Sequence, residues 1–249
     1  MTAIRSSIVE EGERLLEIAK GDGAPIALLG GVAVRLRAPE VPSVLDRQYK
    51  DLDFAVPKGR GGDAANLLRA EGYEPDVVFN AMNGKERMIF NDLEHGRQVD
   101  VFVGSFRMCH EIPFAKRLRP GEPTLPLAEL LLTKLQIVEL NEKDVRDTVL
   151  LFHGHEVTDQ DDDAVNGARI AELCSEDWGL WRTITANLTR CAELVGDYAL
   201  SEPERKRVSD RLARVLEMIE EAPKSRGWKL RAKIGERKRW YDLPEEVDQ

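Results

Sequence analysis

Apolar residues alternate with polar ones in the first half of the chain and recur at three- and four-residue spacing through the second. Residues 6–20 set Ile8, Leu15, Leu16 and Ile18 among Glu and Arg, which predicts an amphipathic helix ended by Gly21-Asp22-Gly23. Ile26 to Leu29 reads as a buried strand, and Val32 to Leu36 as the start of a helix packed behind it. Pro39 and Pro42 mark Ala38 to Val44 as a loop. Lys50 to Val56 is the second strand, followed by a turn over 58–62 and a short helix from Asp63 to Glu71, with Asp63 as its cap and Gly72 closing it. Tyr73 to Phe79 reads as extended. Arg87 to Phe90 and Val99 to Val103 read as two strands joined by the polar turn Asn91 to Arg97.

Beyond residue 120 the period changes. Pro120, Pro123 and Pro126 punctuate a linker, and almost no alternation follows. Leu127 to Leu140 and Lys143 to Phe152 read as helices, with His153 to Asp163 as a polar loop. Trp181, Ile184, Leu188, Cys191 and Val195 mark a long amphipathic helix. Ser201-Glu202-Pro203-Glu204 fits a capping box opening a helix striped by Val208, Leu212, Val215, Leu216 and Ile219. The expected fold is α+β: a mixed-sheet domain over residues 1–120, then a helical domain over 121–249.

Composition bounds the function classes. The 249 residues are 42% hydrophobic and 33% charged, ordinary for a globular protein. A formal charge of −9 argues against broad wrapping around nucleic acid, while leaving room for a local basic patch. Cys109, Cys174 and Cys191 are scattered and odd in number, as in a reducing cytoplasm. No signal-peptide pattern and no run of membrane-spanning length is present, so a cytoplasmic protein without membrane partners is expected.

The alternation places chemistry. Residues two apart in a strand share a side, so Asp51, Asp53 and Ala55 share one face and Leu52, Phe54 and Val56 the other. Asp100 repeats this opposite Val99, Val101 and Val103. Asp is depleted in strand interiors, and carboxylates gathered around one point repel unless a cation neutralises them. Surface strands do carry Asp on their wet faces, but recurrence inside Val, Leu and Phe runs favours a hard divalent cation such as Mg2+, completed by substrate phosphates. Gly30-Gly31, at a strand-to-helix junction, lets backbone N–H groups approach a phosphate.

With these residues in place, LLGGVAVRL, DRQYKDLDFAV and RQVDVFVG together resemble the nucleotidyltransferase superfamily built on the DNA polymerase β-type catalytic domain. Within it the AbiEii-like branch, associated with type IV toxin–antitoxin systems, is the nearest in pattern. The resemblance spans roughly residues 25–152. It implies transfer of NMP from an NTP to an acceptor, with two Mg2+ ions held by Asp51, Asp53 and Asp100, and Asp100 also activating the acceptor hydroxyl. Gly30 and Gly31 would cradle the triphosphate. A later helical Lys with an acidic motif corresponds to Lys134 in LLLTKLQIVEL and to Asp144 and Asp147 in EKDVRDTVLLF. The family's small hydroxyl residue before the first Asp is Lys50 here, which would bind phosphate or point away with Tyr49. Arg47 in the preceding loop is a further phosphate candidate. The acceptor is open: tRNA, a protein side chain or a small hydroxylated molecule, with an antitoxin protein as a further partner. A catalytically silent binding module of the same fold is the alternative.

Lys134 interrupts a leucine run, where an uncompensated ammonium is costly. A triphosphate or carboxylate partner would explain it, and so would snorkelling to the surface. Asp144 and Asp147 share a helical face and would orient Lys134, contact the acceptor, or pair with Lys143 and Arg146. His153-Gly-His155 lacks zinc-site spacing and reads as a solvated loop. Cys109 and His110, adjacent in sequence, are not expected to face each other. From Lys224 to Arg239 eight Lys or Arg stand against one acid, Glu236, with Trp228, Trp240 and Tyr241 beside them. That pattern suits an RNA backbone and its unstacked bases, or a basic helix satisfying an acidic body.

Overall fold

Runs rich in Val, Leu and Phe pair as strands because β-branched and aromatic side chains fill a pleated, half-buried surface. In the computed structural model, which describes residues 4–21, 23–119 and 121–243, the chain begins α1 (Ile8–Gly21), β1 (Ala27–Leu29), α2 (Gly30–Arg37), β2 (Asp51–Val56) and α3 (Gly61–Ala70). It continues β3 (Glu74–Pro75), α4 (Val77–Asn83), β4 (Arg87–Asp92), β5 (Arg97–Val103), β6 (Ser105–Arg107) and β7 (Glu111–Pro113). Five of these strands form one sheet in the order β1-β2-β5-β4-β3, while β6 and β7 pair separately. The β2–β5 pairing is parallel and the other neighbours are antiparallel, a mixed sheet as expected.

The helical stretch follows with α5 (Leu127–Leu135), α6 (Glu142–Gly154), the two-residue strands β8 (Val157–Thr158) and β9 (Val165–Asn166), then α7 (Gly167–Glu176), α8 (Trp178–Leu194), α9 (Glu202–Glu221) and α10 (Arg226–Ile234). The chain divides into two compact units. One comprises Met1–Arg37, Gln48–Phe106 and Ile112–Leu125; the other comprises Ala38–Arg47, Arg107–Glu111 and Pro126–Gln249. The proline loop before β2 is thus grouped with the helices.

The sheet's apolar face forms the core of the first unit. Leu52 pairs with Val99, Phe54 with Val101 and Val56 with Val103, and Leu52, Phe54, Val99 and Val101 are at most 1% exposed. Each such side chain contributes about 1.5–3 kcal/mol relative to exposure. Helix α1 packs on this face, so closely that a Cβ added at Gly12 would stand 3.2 Å from Leu28 and Leu52. Its Glu11 is fully buried yet satisfied, accepting hydrogen bonds from Arg14 and, at 2.5 Å, from the Tyr73 hydroxyl. Burial pushes that carboxyl up, but Arg14, Tyr73 and the Arg5 N–H together hold it below the usual carboxylate range.

Several expectations shift for local reasons. Tyr73 to Phe79 is extended only at β3, because Asp76 accepts from the Phe79 N–H at 2.9 Å and starts α4. Asp63 does not cap α3; it lies in that helix's first turn and pairs with Arg60. Helix α5 stops at Leu135 rather than Leu140, where Asn187 donates to the Leu135 and Ile137 carbonyls at 2.8 and 2.7 Å. Helix α7, absent from the sequence reading, is capped by Asn166 through the Arg169 N–H. The capping box of α9 is present, with the Ser201 N–H donating to Glu204 at 2.7 Å. Asp22 of the expected helix stop and Pro120 of the expected linker lie outside the described residues.

Candidate functional site

The register of the sheet assembles the candidate carboxylates. Parallel pairing sets Asp51 opposite Gln98 and Asp53 opposite Asp100, so these four side chains share the face turned away from the apolar core. Neighbouring strands lie about 4.8 Å apart, which makes Asp53 and Asp100 direct neighbours. Asp51 is exposed, Asp53 half-buried and Asp100 buried.

Antiparallel pairing of β1 sets Leu29 opposite Asp53, so the next residue, Gly30, meets the Asp53 side chain. Gly30 has φ +69, a left-handed backbone that favours glycine. A Cβ there would stand 2.0 Å from Asp53 Oδ2. The absent side chain thus lets a carboxylate press against the first turn of α2, where the leading N–H groups of a helix have no intrahelical partner and favour an anion. Gly31 follows in the same turn and is buried. Lys50, just before β2, is exposed.

Asp100 has a tighter environment than the sequence suggested. Arg87 Nε donates to its Oδ1 at 2.7 Å, and Gln98 Nε2 donates to its Oδ2 at 2.7 Å. The Arg87 guanidinium lies 5.6 Å from the Phe79 ring centroid and 5.3 Å from that of Phe102. Arg87 and Gln98 were missed from sequence. Their signal lay in the hairpin register: Ile89 opposes Asp100, so Arg87 sits diagonally across from it, within reach of a long side chain.

These residues fit a hard cation in part. Asp51 and Asp53 form the accessible two-carboxylate edge that Mg2+ takes when water and phosphates supply its other ligands. Asp100 is engaged elsewhere, and among the described residues no group of three or more His, Cys, Asp or Glu is arranged to hold a metal ion.

Lys134, Asp144 and Asp147 belong to the helical unit, and there they find one another. Lys134 Nζ lies 3.2 Å from Asp144 and 2.9 Å from Asp147. Arg47 grips Asp147 with two hydrogen bonds, of 2.8 and 2.7 Å. Asp147 is 1% exposed. Of the two accounts of Lys134, the carboxylate partner is the one observed. Arg47, a phosphate candidate from sequence, is a carboxylate partner too. Arg146 pairs with Glu142 at 2.6 Å instead of with Asp144 or Asp147.

The same unit holds a cavity of about 710 Å3 lined by Val44, Leu140, Val145, Leu194, Arg190 and Tyr198, among others, within the size range of small-molecule sites. His153 and His155 are buried rather than solvated, held by Glu204 and by the Asp163 carbonyl. Cys109 accepts from the Val138 N–H, whereas His110 bonds Thr183, so the two are not a pair. Burial pushes the Cys109 thiol up, against a nucleophilic role. No helix among the described residues is long and apolar enough to cross a membrane.

No protein-family model matches the chain, and no curated protein does. Among solved structures it is similar to the lincosamide antibiotic adenylyltransferase LnuA in lincomycin-bound form, at 18% identity and a TM-score of 0.42, over 55% of this chain and 92% of that one. It is also similar to the STING-associated CdnE c-di-GMP synthase from Capnocytophaga granulosa, at 12% identity and a TM-score of 0.28, over 86% of this chain and 79% of that one. Both are nucleotidyltransferases, and both likenesses are too partial to carry the assignment of a site.

Proposed function

We propose that the protein is a metal-dependent nucleotidyltransferase, moving NMP from an NTP to an acceptor hydroxyl. The observation that carries this reading is the juxtaposition of Gly30 with Asp53, and of Asp53 with Asp51 and Asp100, on one face of the sheet. Asp51 and Asp53 would hold Mg2+, which when bound supplies positive charge against the triphosphate and the developing negative charge. The backbone of Gly30 and Gly31, at the start of α2, would bind phosphate oxygens, and exposed Lys50 would add a cation at the rim. Asp100, oriented by Arg87 and Gln98, would take the acceptor's proton. The acceptor oxygen then bonds to the α-phosphorus as the bond to pyrophosphate breaks, and pyrophosphate leaves with the electron pair.

Lys134, Asp144 and Asp147 enter this proposal as a charge-balanced set that shapes the helical unit, rather than as free nucleotide ligands. An acceptor of the tRNA, protein or small hydroxylated class, a toxin role with an antitoxin partner, kinship with the AbiEii-like branch and a cytoplasmic setting are all part of the proposal. One observation favours the silent-module alternative: Arg87 and Gln98 each hold one oxygen of Asp100.

The test is incubation with each α-labelled NTP and Mg2+ in the presence of tRNA, total protein and small polyhydroxylated acceptors. Label transfer that is lost in Asp53→Asn supports the enzyme. Mg2+–NTP binding without transfer to any acceptor supports the silent module. Wild type and Asp53→Asn alike failing to bind Mg2+–NTP would sink both.

A further inference from the structure

The segment Lys224 to Arg239 is the most highly charged feature that the proposed reaction leaves unused. Its inner side is spent on structure. Trp228 meets Trp181 edge-on with ring centroids 5.1 Å apart, Trp240 meets Trp178 edge-on at 6.1 Å, and Tyr241 packs on Trp240 at 5.3 Å. Trp240 Nε1 also donates to Thr183 at 3.1 Å. Arg231 lies 4.7 Å over the Trp178 ring and donates to the carbonyls of Gly235 and Lys238. Lys224 donates to the Ala222 carbonyl, just past the end of α9. The aromatics that suggested base stacking are thus half-buried and engaged with other rings.

The outer side differs. Arg226, Lys229, Lys233, Arg237 and Lys238 are exposed, and no acidic side chain pairs with them among the described residues. The segment's one acid, Glu236, is taken by Arg182 at 2.6 Å. Arg226, Lys229 and Lys233 lie on one side of α10, about 4.5 and 6 Å apart along its axis at 1.5 Å per residue. Leu230 and Ile234 stand exposed between them, too little apolar area to make a docking face of their own.

We propose that this outer face binds the phosphodiester backbone of a nucleic acid without reading its bases. Five exposed cations within one short segment, none paired with an acid among the described residues, supply counterion release. Sequence-tolerant recognition of single strands rests instead on aromatic platforms, which Trp228, Trp240 and Tyr241 do not offer here. The inference stands apart from nucleotidyl transfer and holds for an enzyme or a silent module.

The test is fluorescence anisotropy of the full chain with duplex RNA, duplex DNA and single-stranded RNA of equal phosphate number, across a salt series. Expected are affinities within several-fold of one another and a log–log salt slope of about −4, from about five phosphate contacts. Lys229→Glu/Lys233→Glu should weaken binding at least tenfold at low salt and flatten the slope by about two. Both positions are exposed, and an unchanged thermal unfolding curve for the variant shows that the loss is not unfolding. No binding at low salt, a double variant that binds like wild type, or a preference of a hundredfold or more for single strands would each overturn the proposal. So would co-sedimentation with phosphatidylserine vesicles in the absence of nucleic acid binding, which would assign the face to anionic lipid.

Discussion

Two sets of carboxylates arise from apolar runs in this chain and meet opposite fates. On the sheet, Asp51 is exposed and Asp53 half-buried, the latter with its carboxylate against the Gly30 backbone. In the helical unit, Asp144 and Asp147 are closed off by Lys134 and Arg47, with Asp147 at 1% exposure. Asp100 stands between these cases, buried on the sheet but held by Arg87 and Gln98. The difference teaches that a carboxylate inside an apolar run is a candidate ligand only where the fold leaves it open to one. Where it is buried against cations, as Asp147 is against Lys134 and Arg47, the group is structural.

The comparison breaks first at the sheet. Asp53→Asn should lower nucleotidyl transfer by about 10^3-fold, on the scale of losing an electrostatic contact to the reacting phosphate, with little change in unfolding midpoint. A full loss of stability alongside activity would make Asp53 structural, like Asp147. Next comes the buried pair itself. Asp147→Ala leaves Lys134 and Arg47 facing each other with their shared partner gone, a change costing about 3–5 kcal/mol in urea unfolding, whereas Asp51→Ala at an exposed position should stay within about 0.5 kcal/mol. Equal costs for the two would erase the distinction.

Gly30→Ala sharpens the comparison from the other side. A Cβ at φ +69 and 2.0 Å from Asp53 Oδ2 must displace that carboxylate, so we expect about 1–2 kcal/mol of destabilisation. Transfer should fall by at least tenfold. Loss of stability with unchanged transfer would show that Asp53 need not sit against α2. The smallest effect is acid sensitivity in the first unit. Glu11 and Asp92 are both pushed up by burial but held below the usual carboxylate range by their partners, Arg14 and Tyr73 for one, Arg97 and His95 for the other. Carboxyls depressed in the folded state contribute stability above their unfolded pKa, and that stability is lost as pH falls through the folded pKa. Urea midpoints should therefore drop as pH falls below the ordinary carboxylate range, and Glu11→Gln should flatten that decline; an unchanged slope would remove Glu11 as a source.

Much of the fold was legible in the sequence. Alternation in 50–56 and 99–103 located both strands and the faces of their aspartates, since a period of two leaves no freedom about which residues share a side. The glycine pair was legible as a strand-to-helix turn. What the glycines were for was not: Gly30 makes room for Asp53, a relation created by the pairing of β1 with β2. The extended reading of Tyr73 to Phe79 failed past β3, because Asp76 caps a helix there.

The sequence by itself determined which chemistry was on offer: carboxylates opposite apolar stripes, a lysine inside leucines, and a basic segment with tryptophans. These follow from local period and composition. Only the tertiary structure decided which charges were already answered. Arg87 reaches Asp100 across a hairpin, Arg47 reaches Asp147 across a hundred residues, and the tryptophans turn inward to leave five cations outside. The reason is physical: secondary structure is set by neighbours in the chain, whereas the cost of a buried charge is set by whatever partner the fold brings within about 3 Å.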